Sequence, residues 1–431
     1  MPGFMRAAIT CIVCVCFYYN TSASAEQNNI TLSLDQAVEQ ALLNNPDLSA
    51  LKERTLALAD IPEQQGALPD PQLTFRASNL PVDTFAIDQE PMTQMQIALS
   101  QALPFPGKLS LRQQVADLES RAANFGFEEK RLLLVQDVKT VWWNIYYLDR
   151  ALETVERNQE LFRQLNTITQ TKYKVGKGLQ QEVLMAQLEL TKLLDNKISL
   201  TNMRRNEAIR LNTLIAQPAE TVLLLPQLKE EEFPEVPDLS QLLDQAQSSS
   251  PMIQDLSNKA EAAKTKVELA EKKYYPDFMA GATYGYRAGE NPDGSERADF
   301  ATFSVTLNLP FFNQTEKKRA ISQSKHEALQ QSETLISAEN IVQGRVTTAY
   351  SDYKKSQEEM ELLGSGIIPL AKQTLESMMA GYQVNKVDFL NLVGAQTSLY
   401  NYETRYWKSY SSANQALARL AAAIGREAIS E

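Results

Sequence analysis

Side chains able to do chemistry are scarce in this chain. His326 is the only histidine, and it stands between Lys325 and Glu327 in a charged stretch that reads as a solvated helix face. A histidine-based triad or a histidine-rich zinc site is therefore out of reach. The cysteines, Cys11, Cys14 and Cys16, crowd together near the N-terminus. Met92 with Met95, and Met378 with Met379, offer thioethers of the kind that suit Cu(I), but the ordinary use of such pairs is packing. Trp142, Trp143, Tyr146 and Tyr147, matched in part by Tyr350 and Tyr353, fall at helical spacing and read as packing anchors rather than a ligand site. The 16 glycines are scattered and form no phosphate-cradling loop, so any nucleotide hydrolysis must lie in a partner. These residues point to no enzyme, no cofactor and no metal centre.

What the residues do position is an address. Arg6 precedes an apolar stretch, residues 7–18, and Ala23-Ser24-Ala25 follows with the small-x-small pattern of a cleavage site. About 12 apolar residues fall short of the roughly 20 that a membrane-spanning helix needs. Residues 1–25 thus read as a signal peptide, and the mature chain starts near Glu26. All three cysteines lie inside that segment, which removes thiol and disulfide chemistry. Thr10, Val13 and Val15 precede them, whereas a lipidated cysteine follows a small residue. The net charge of -11 includes Arg6, the only charge before residue 26, so the mature chain carries -12. Such an acidic balance argues against nucleic acid as a partner and favours the passage of cations. The NxT triplets at Asn29 and Asn313 read as incidental.

The elements come twice. With a period of about 206 residues, Leu34, Gln40, Ala41 and Pro46 recur as Leu239, Gln245, Ala246 and Pro251. Pro69-Asp70 recurs as Pro276-Asp277, Leu103-Pro104-Phe105 as Leu309-Pro310-Phe311, and Val135-Gln136 as Val342-Gln343. Tyr173, Val175, Lys177, Ala186 and Gln187 recur as Tyr382, Val384, Lys386, Ala395 and Gln396. A first repeat over 26–228 and a second over 238–431 follow, joined by a solvated linker at 229–237. That linker ends a proline-rich stretch and carries the run Lys229-Glu230-Glu231-Glu232.

Within each half the hydrophobic period changes in the same order. Residues 33–66 read as helix, broken by Pro69 and Pro71. Alternation follows: Leu73, Phe75 and Ala77 against Thr74 and Arg76, then Met95, Ile97 and Leu99 against Gln96 and Ser100. The second half repeats it with Ala280, Ala282, Tyr284 and Tyr286, then Phe303, Val305 and Leu307 against Ser304 and Thr306, around a loop at 289–297. Very long helical tracts come next, with no proline between Gly107 and Gln217. Pro369, after Gly364 and Gly366, predicts a kink in the second tract. Each tract reaches a tight break, at Gly176-Lys177-Gly178 and near Asn385-Lys386, and a second helix returns as a coiled-coil hairpin.

No mature segment has 18 consecutive apolar residues, so a helical membrane span is excluded and the strands remain the candidates. Four strands cannot close a barrel, and open edges in lipid leave backbone donors unsatisfied at several kcal/mol each. Closure must then be between chains. Three copies give twelve strands, whereas two give eight, a barrel filled by its own side chains.

These residues resemble the TolC-type outer-membrane efflux family over essentially the whole mature chain. The resemblance rests on the duplicated plan, the openings LSLDQAVEQALLNNP and PDLSQLLDQAQSSSP, the strand exits LPFPGK and LPFFNQ, and Tyr-x-Val near each helix turn. It implies a mainly α chain with a β-barrel section: a homotrimer whose twelve-stranded outer-membrane barrel continues into a periplasmic α-helical barrel. It also implies a passive export duct that docks a periplasmic adaptor and an inner-membrane resistance-nodulation-division pump. Residues 73–95 are most similar to the heavy-metal branch of the family. A channel of the same fold for drugs or type I protein secretion, and a periplasmic adaptor, stay open as alternatives.

The resemblance also assigns roles to the two breaks. Val175, Gly176, Lys177 and Gly178, with Val384, Asn385, Lys386 and Val387, become the adaptor-facing tips. In the family, acids nine and twelve residues after the second tip tyrosine line the periplasmic constriction; here those positions hold Asn391 and Gly394. Asp388, one turn nearer the tip, and Glu182, at the nine-residue offset of the first repeat, are the acids left to charge that constriction.

Overall fold

The computed structural model describes residues 30–226 and 233–429; the expected leader and the acidic run at 229–232 lie outside the described residues. The first half begins with β1 (Ile30–Thr31) and the helices α1 (Leu34–Asn44), α2 (Pro46–Ala59) and α3 (Ile61–Gly66). Ser33 opens α1 with a reciprocal capping box to Gln36. The sequence predicts a single helix over 33–66, and the structure breaks it in two places. Asn45, which precedes Pro46, is forced into extended backbone (ψ 118) and caps α2 instead. After Asp60 the chain restarts with Pro62 in the first turn, where its missing N–H costs nothing.

Strands β2 (Gln72–Ser78) and β3 (Gln94–Leu103) follow, then α4 (Lys108–Lys174) and α5 (Gln180–Leu214), and β4 (Leu223–Leu224) returns to pair with β1 in parallel. The second half repeats the order as α6 (Leu239–Ser249), α7 (Pro251–Glu271), a 3₁₀ turn, β5 (Phe278–Tyr286), β6 (Phe300–Leu307) and α8 (Gln314–Glu361). The expected kink ahead of Pro369 takes the form of a π-helical turn, Leu362–Ile367, before α9 (Ile368–Gln383) and α10 (Phe389–Ala423).

At about 1.5 Å per residue, the 67 residues of α4 span roughly 100 Å. Its buried residues Leu134, Val138, Val141, Ile145 and Leu148 step alternately by four and three, the 3.5-residue repeat of a left-handed supercoil. Further buried positions such as Ala151, Thr154 and Asn158 open a second stripe, since α4 packs on α5 and on α10. Asn158 and Gln396 hydrogen-bond across the α4–α10 contact, and Gln159 donates to the Leu193 carbonyl of α5 at 3.1 Å. These buried amides fix the register of the helices where apolar contacts alone would let them slide.

The aromatic group is a packing anchor, as its spacing predicts. Trp142 is fully buried, meets Trp143 edge-on at 4.9 Å and donates its indole N–H to the Leu32 carbonyl at 3.1 Å. It thereby ties α4 to the chain just before α1. Tyr353 is buried, and Met378 and Met379 pack beside Tyr382 near the helix turns.

Candidate functional site

The strands form one antiparallel sheet in the order β2-β3-β5-β6. Its register aligns the alternation of all four. Leu73 faces Leu99, Phe75 faces Ile97 and Ile97 faces Tyr284. Ala280 faces Val305 and Ala282 faces Phe303. One face of the sheet therefore carries Leu, Phe, Met, Ile, Val, Ala and Tyr with Gln101 as its single polar residue, while Thr74, Arg76, Gln96, Ser100, Thr283 and Ser304 lie on the other. The apolar face is uncovered: Phe75 is 73 % and Phe303 84 % exposed. Tyr284 and Tyr286 stand toward the end that carries the loop at 287–299. Among the described residues, no helix is long and apolar enough to cross a membrane. Among the described residues, the outer edges of β2 and β6 have no strand partner.

At the far end of the long helices the two breaks become two turns of one design. Each helix ends in a Schellman motif. Gly176 N–H donates to the Tyr173 carbonyl and Lys177 N–H to the Lys172 carbonyl, at 3.0 and 2.8 Å. Asn385 N–H donates to the Tyr382 carbonyl and Lys386 N–H to the Gly381 carbonyl, at 3.2 and 2.8 Å. The motif needs a left-handed residue. Gly176 supplies it at φ 72 and Asn385 at φ 59. Gly178 answers a different need, because a Cβ there would sit 2.9 Å from the Cβ of Lys172.

The two turns are held together. Lys172 donates to the Tyr382 carbonyl at 2.7 Å and to the Asn385 side-chain oxygen at 2.8 Å, and its ammonium lies 4.0 Å from the centre of the Tyr382 ring. The Tyr382 hydroxyl donates to the Glu182 carboxylate at 3.2 Å. Burial, and then the neighbouring Glu182 charge and hydrogen bond, push the Tyr382 phenol well above its ordinary value. An open cleft between the turns is lined by Gly176, Lys177, Gly178, Glu182, Asn385, Val387 and Asp388 together with Lys172 and Tyr382. Val175, Val384, Lys386 and Asn391 do not line it; Val175 and Val384 are instead exposed at matching places on the two turns. Asp388 occupies the N-cap position of α10 without a side-chain capping hydrogen bond and is exposed, whereas Glu182 is half-buried.

Sequence reasoning missed Lys172 and the use of Tyr382. Lys172 corresponds to Gly381 in the second half, so the duplication gave no signal for it. Tyr173 and Tyr382 match in sequence, yet Tyr173 is half exposed and Tyr382 is buried. His326 is exposed on α8, and among the described residues no cluster of three metal-ligating side chains forms.

Comparison with known proteins places these features. The profile of the family described as outer membrane efflux protein matches residues 37–217 and again 242–426. Outer membrane protein TolC of Escherichia coli (strain K12) is 22 % identical over 392 residues, covering 86 % of this chain and 77 % of its own. Among solved structures, the outer membrane protein VceC of Vibrio cholerae superposes with a TM-score of 0.76 at 18 % identity, over 91 % of this chain and 96 % of that one. CusC, described in terms of transmembrane channel formation, superposes with a TM-score of 0.75 at 16 % identity over 99 % of both chains.

Proposed function

The chain belongs to the outer membrane efflux protein family, and from that premise we propose that three copies form the exit duct of a tripartite efflux system for heavy-metal cations. Four strands from each copy close a twelve-stranded barrel, wide enough for a conduit where eight strands are not. The exposed apolar face of the sheet meets lipid and the polar face lines the lumen. Below the barrel, the helices of each copy build a periplasmic tube. The duct carries out no reaction; the driving force comes from an inner-membrane resistance-nodulation-division pump. One observation carries this reading: a sheet with an exposed apolar face and two open edges continues directly into two long helices, roughly 100 Å for α4 and roughly 70 Å for α8.

The two turns are the parts that meet the periplasmic adaptor, with Val175 and Val384 as exposed apolar contacts among polar neighbours. Asp388 and Glu182 set the charge of the constriction beside them, and Asn391 stands where the family carries an acid. Cations as cargo are supported by the similarity of residues 73–95 to the heavy-metal branch and by the net charge of -11. Expression of the full chain should give a trimer that survives detergent extraction; a monodisperse monomer soluble without detergent would overturn the reading. Gly178→Val should abolish export while trimers persist, and unchanged resistance with normal adaptor crosslinking would remove the tips from the docking role.

A further inference from the structure

At the junction of sheet and helices, the exit of β3 is clasped to the entry of β5. Phe105 N–H and Lys108 Nζ both donate to Asp277 Oδ1 at 2.8 Å, and Lys108 reaches the Tyr275 carbonyl at 3.2 Å. The Phe105 ring stacks on Tyr275 with centroids 4.6 Å apart. The duplication carries Phe105 and Lys108 onto Phe311 and Gln314, and Tyr275 and Asp277 onto Leu68 and Asp70. The backbone follows: α4 begins after left-handed Gly107 (φ 90) and α8 after left-handed Asn313 (φ 60).

This second clasp is not made within the chain. Asp70 is exposed, and among the described residues neither its carboxylate nor the Phe311 N–H has a hydrogen bond. Phe311 and Leu68 are 69 % and 55 % exposed. The halves of the clasp lie at opposite edges of the sheet, since Leu68 and Asp70 lead into β2 while Phe311 and Gln314 follow β6. A surface that offers one half to the other is a second copy of this chain.

We propose that β6 of one protomer pairs with β2 of the next in the register that sets Val305 opposite Phe75, and that the partner's Asp70 accepts the Phe311 N–H with Phe311 lying on the partner's Leu68. The inference rests on the trimeric-channel reading and adds the register to it. Applying the repeat spacing to the observed pair Leu99–Ala282 gives Val305–Phe75, and Gln101–Ala280 gives Leu307–Leu73. The spacing comes from the junction motifs alone, yet it brings apolar residues to one face on both strands. A slip by one residue would set that face against the polar one.

The test is disulfide trapping in the full chain, whose native cysteines all lie before residue 26. Within one protomer β2 and β6 stand three strand spacings apart, about 14 Å, beyond the roughly 7 Å limit for a disulfide, so any bond formed joins two copies. Phe75→Cys with Val305→Cys, and Thr74→Cys with Thr306→Cys, cover both classes of antiparallel pair. At least one should give covalent dimers and trimers about tenfold in excess of Phe75→Cys with Phe303→Cys or Leu307→Cys. Dominance of an offset pair overturns the register. Absence of every crosslink in a chain that still forms trimers overturns the edge pairing alone, and absence of trimers overturns the channel reading with it. In a second arm, Gln314→Lys rebuilds the Lys108 arrangement and should raise the temperature at which trimers dissociate, a gain that Asp70→Asn cancels. An equal gain in both backgrounds refutes the clasp.

Discussion

Replacing Lys172 by Met keeps the length of the side chain and removes its charge and its donors. The ammonium makes two hydrogen bonds across the turns, at 2.7 and 2.8 Å, and lies 4.0 Å from the centre of the Tyr382 ring. For a half-exposed group each hydrogen bond is worth about 1 kcal/mol, and the ring contact about 0.5–1 kcal/mol. Together they hold the turns with on the order of 2–3 kcal/mol, which corresponds to roughly a 30- to 150-fold change in the open population. Hydrogen exchange at the amides of 381–391 should accelerate by about one to two orders of magnitude in Lys172→Met. Amides around Trp142, far along the helices, should keep their protection. Conductance in planar bilayers should rise if the turns narrow the duct. Tyr382→Phe removes only the hydroxyl donated to Glu182 and should give a smaller effect, about fivefold. The raised phenol adds a pH arm: a group whose folded value is raised stabilises the fold fully below its unfolded value, near 10, and loses that contribution as pH climbs further. This arm is read in Lys172→Met, where the turns should loosen at high pH unless Tyr382→Phe is also present. Parental exchange and conductance in Lys172→Met would refute the claim that these contacts hold the turns.

Three further outcomes follow from the same geometry. Phe303→Arg places a charge on the apolar face and should lower the yield of assembled protein, at about 2–4 kcal/mol per copy if the residue sits at mid-bilayer, whereas Thr302→Arg on the polar face should assemble normally; equal yields would mean that the apolar face does not meet lipid. Trp142→Ala empties a fully buried site and orphans the Leu32 carbonyl, so thermal melting should show a loss of about 3–5 kcal/mol. Asp388→Asn with Glu182→Gln should reduce cation-over-anion selectivity, with Asp388 dominant because Glu182 is engaged by Tyr382; the parent's reversal potential in a salt gradient would remove both from the constriction.

The sequence alone determined the duplication, the alternation of element types and the apolar–polar phase of the four strands β2, β3, β5 and β6, but not the short pair β1 and β4. Each of these is written in local spacing: period two in Leu73, Phe75 and Ala77, the absence of proline along α4, and the breaks at Gly176 and Asn385, where the helix needs a left-handed residue. Local spacing also misled once, at 33–66, where the apolar pattern runs on through Pro46 and Pro62 and the backbone does not. Tertiary structure alone decided what meets what. The order β2-β3-β5-β6 joins strands from distant parts of the chain, and pairing across that distance leaves no mark on the spacing within a strand. The bridge from Lys172 to Tyr382 and Asn385 links residues more than 200 positions apart, and it exists because two coiled-coil hairpins of nearly equal length end side by side. Tyr173 and Tyr382 occupy the same place in the repeat, yet only packing between the hairpins buries one and leaves the other in solvent.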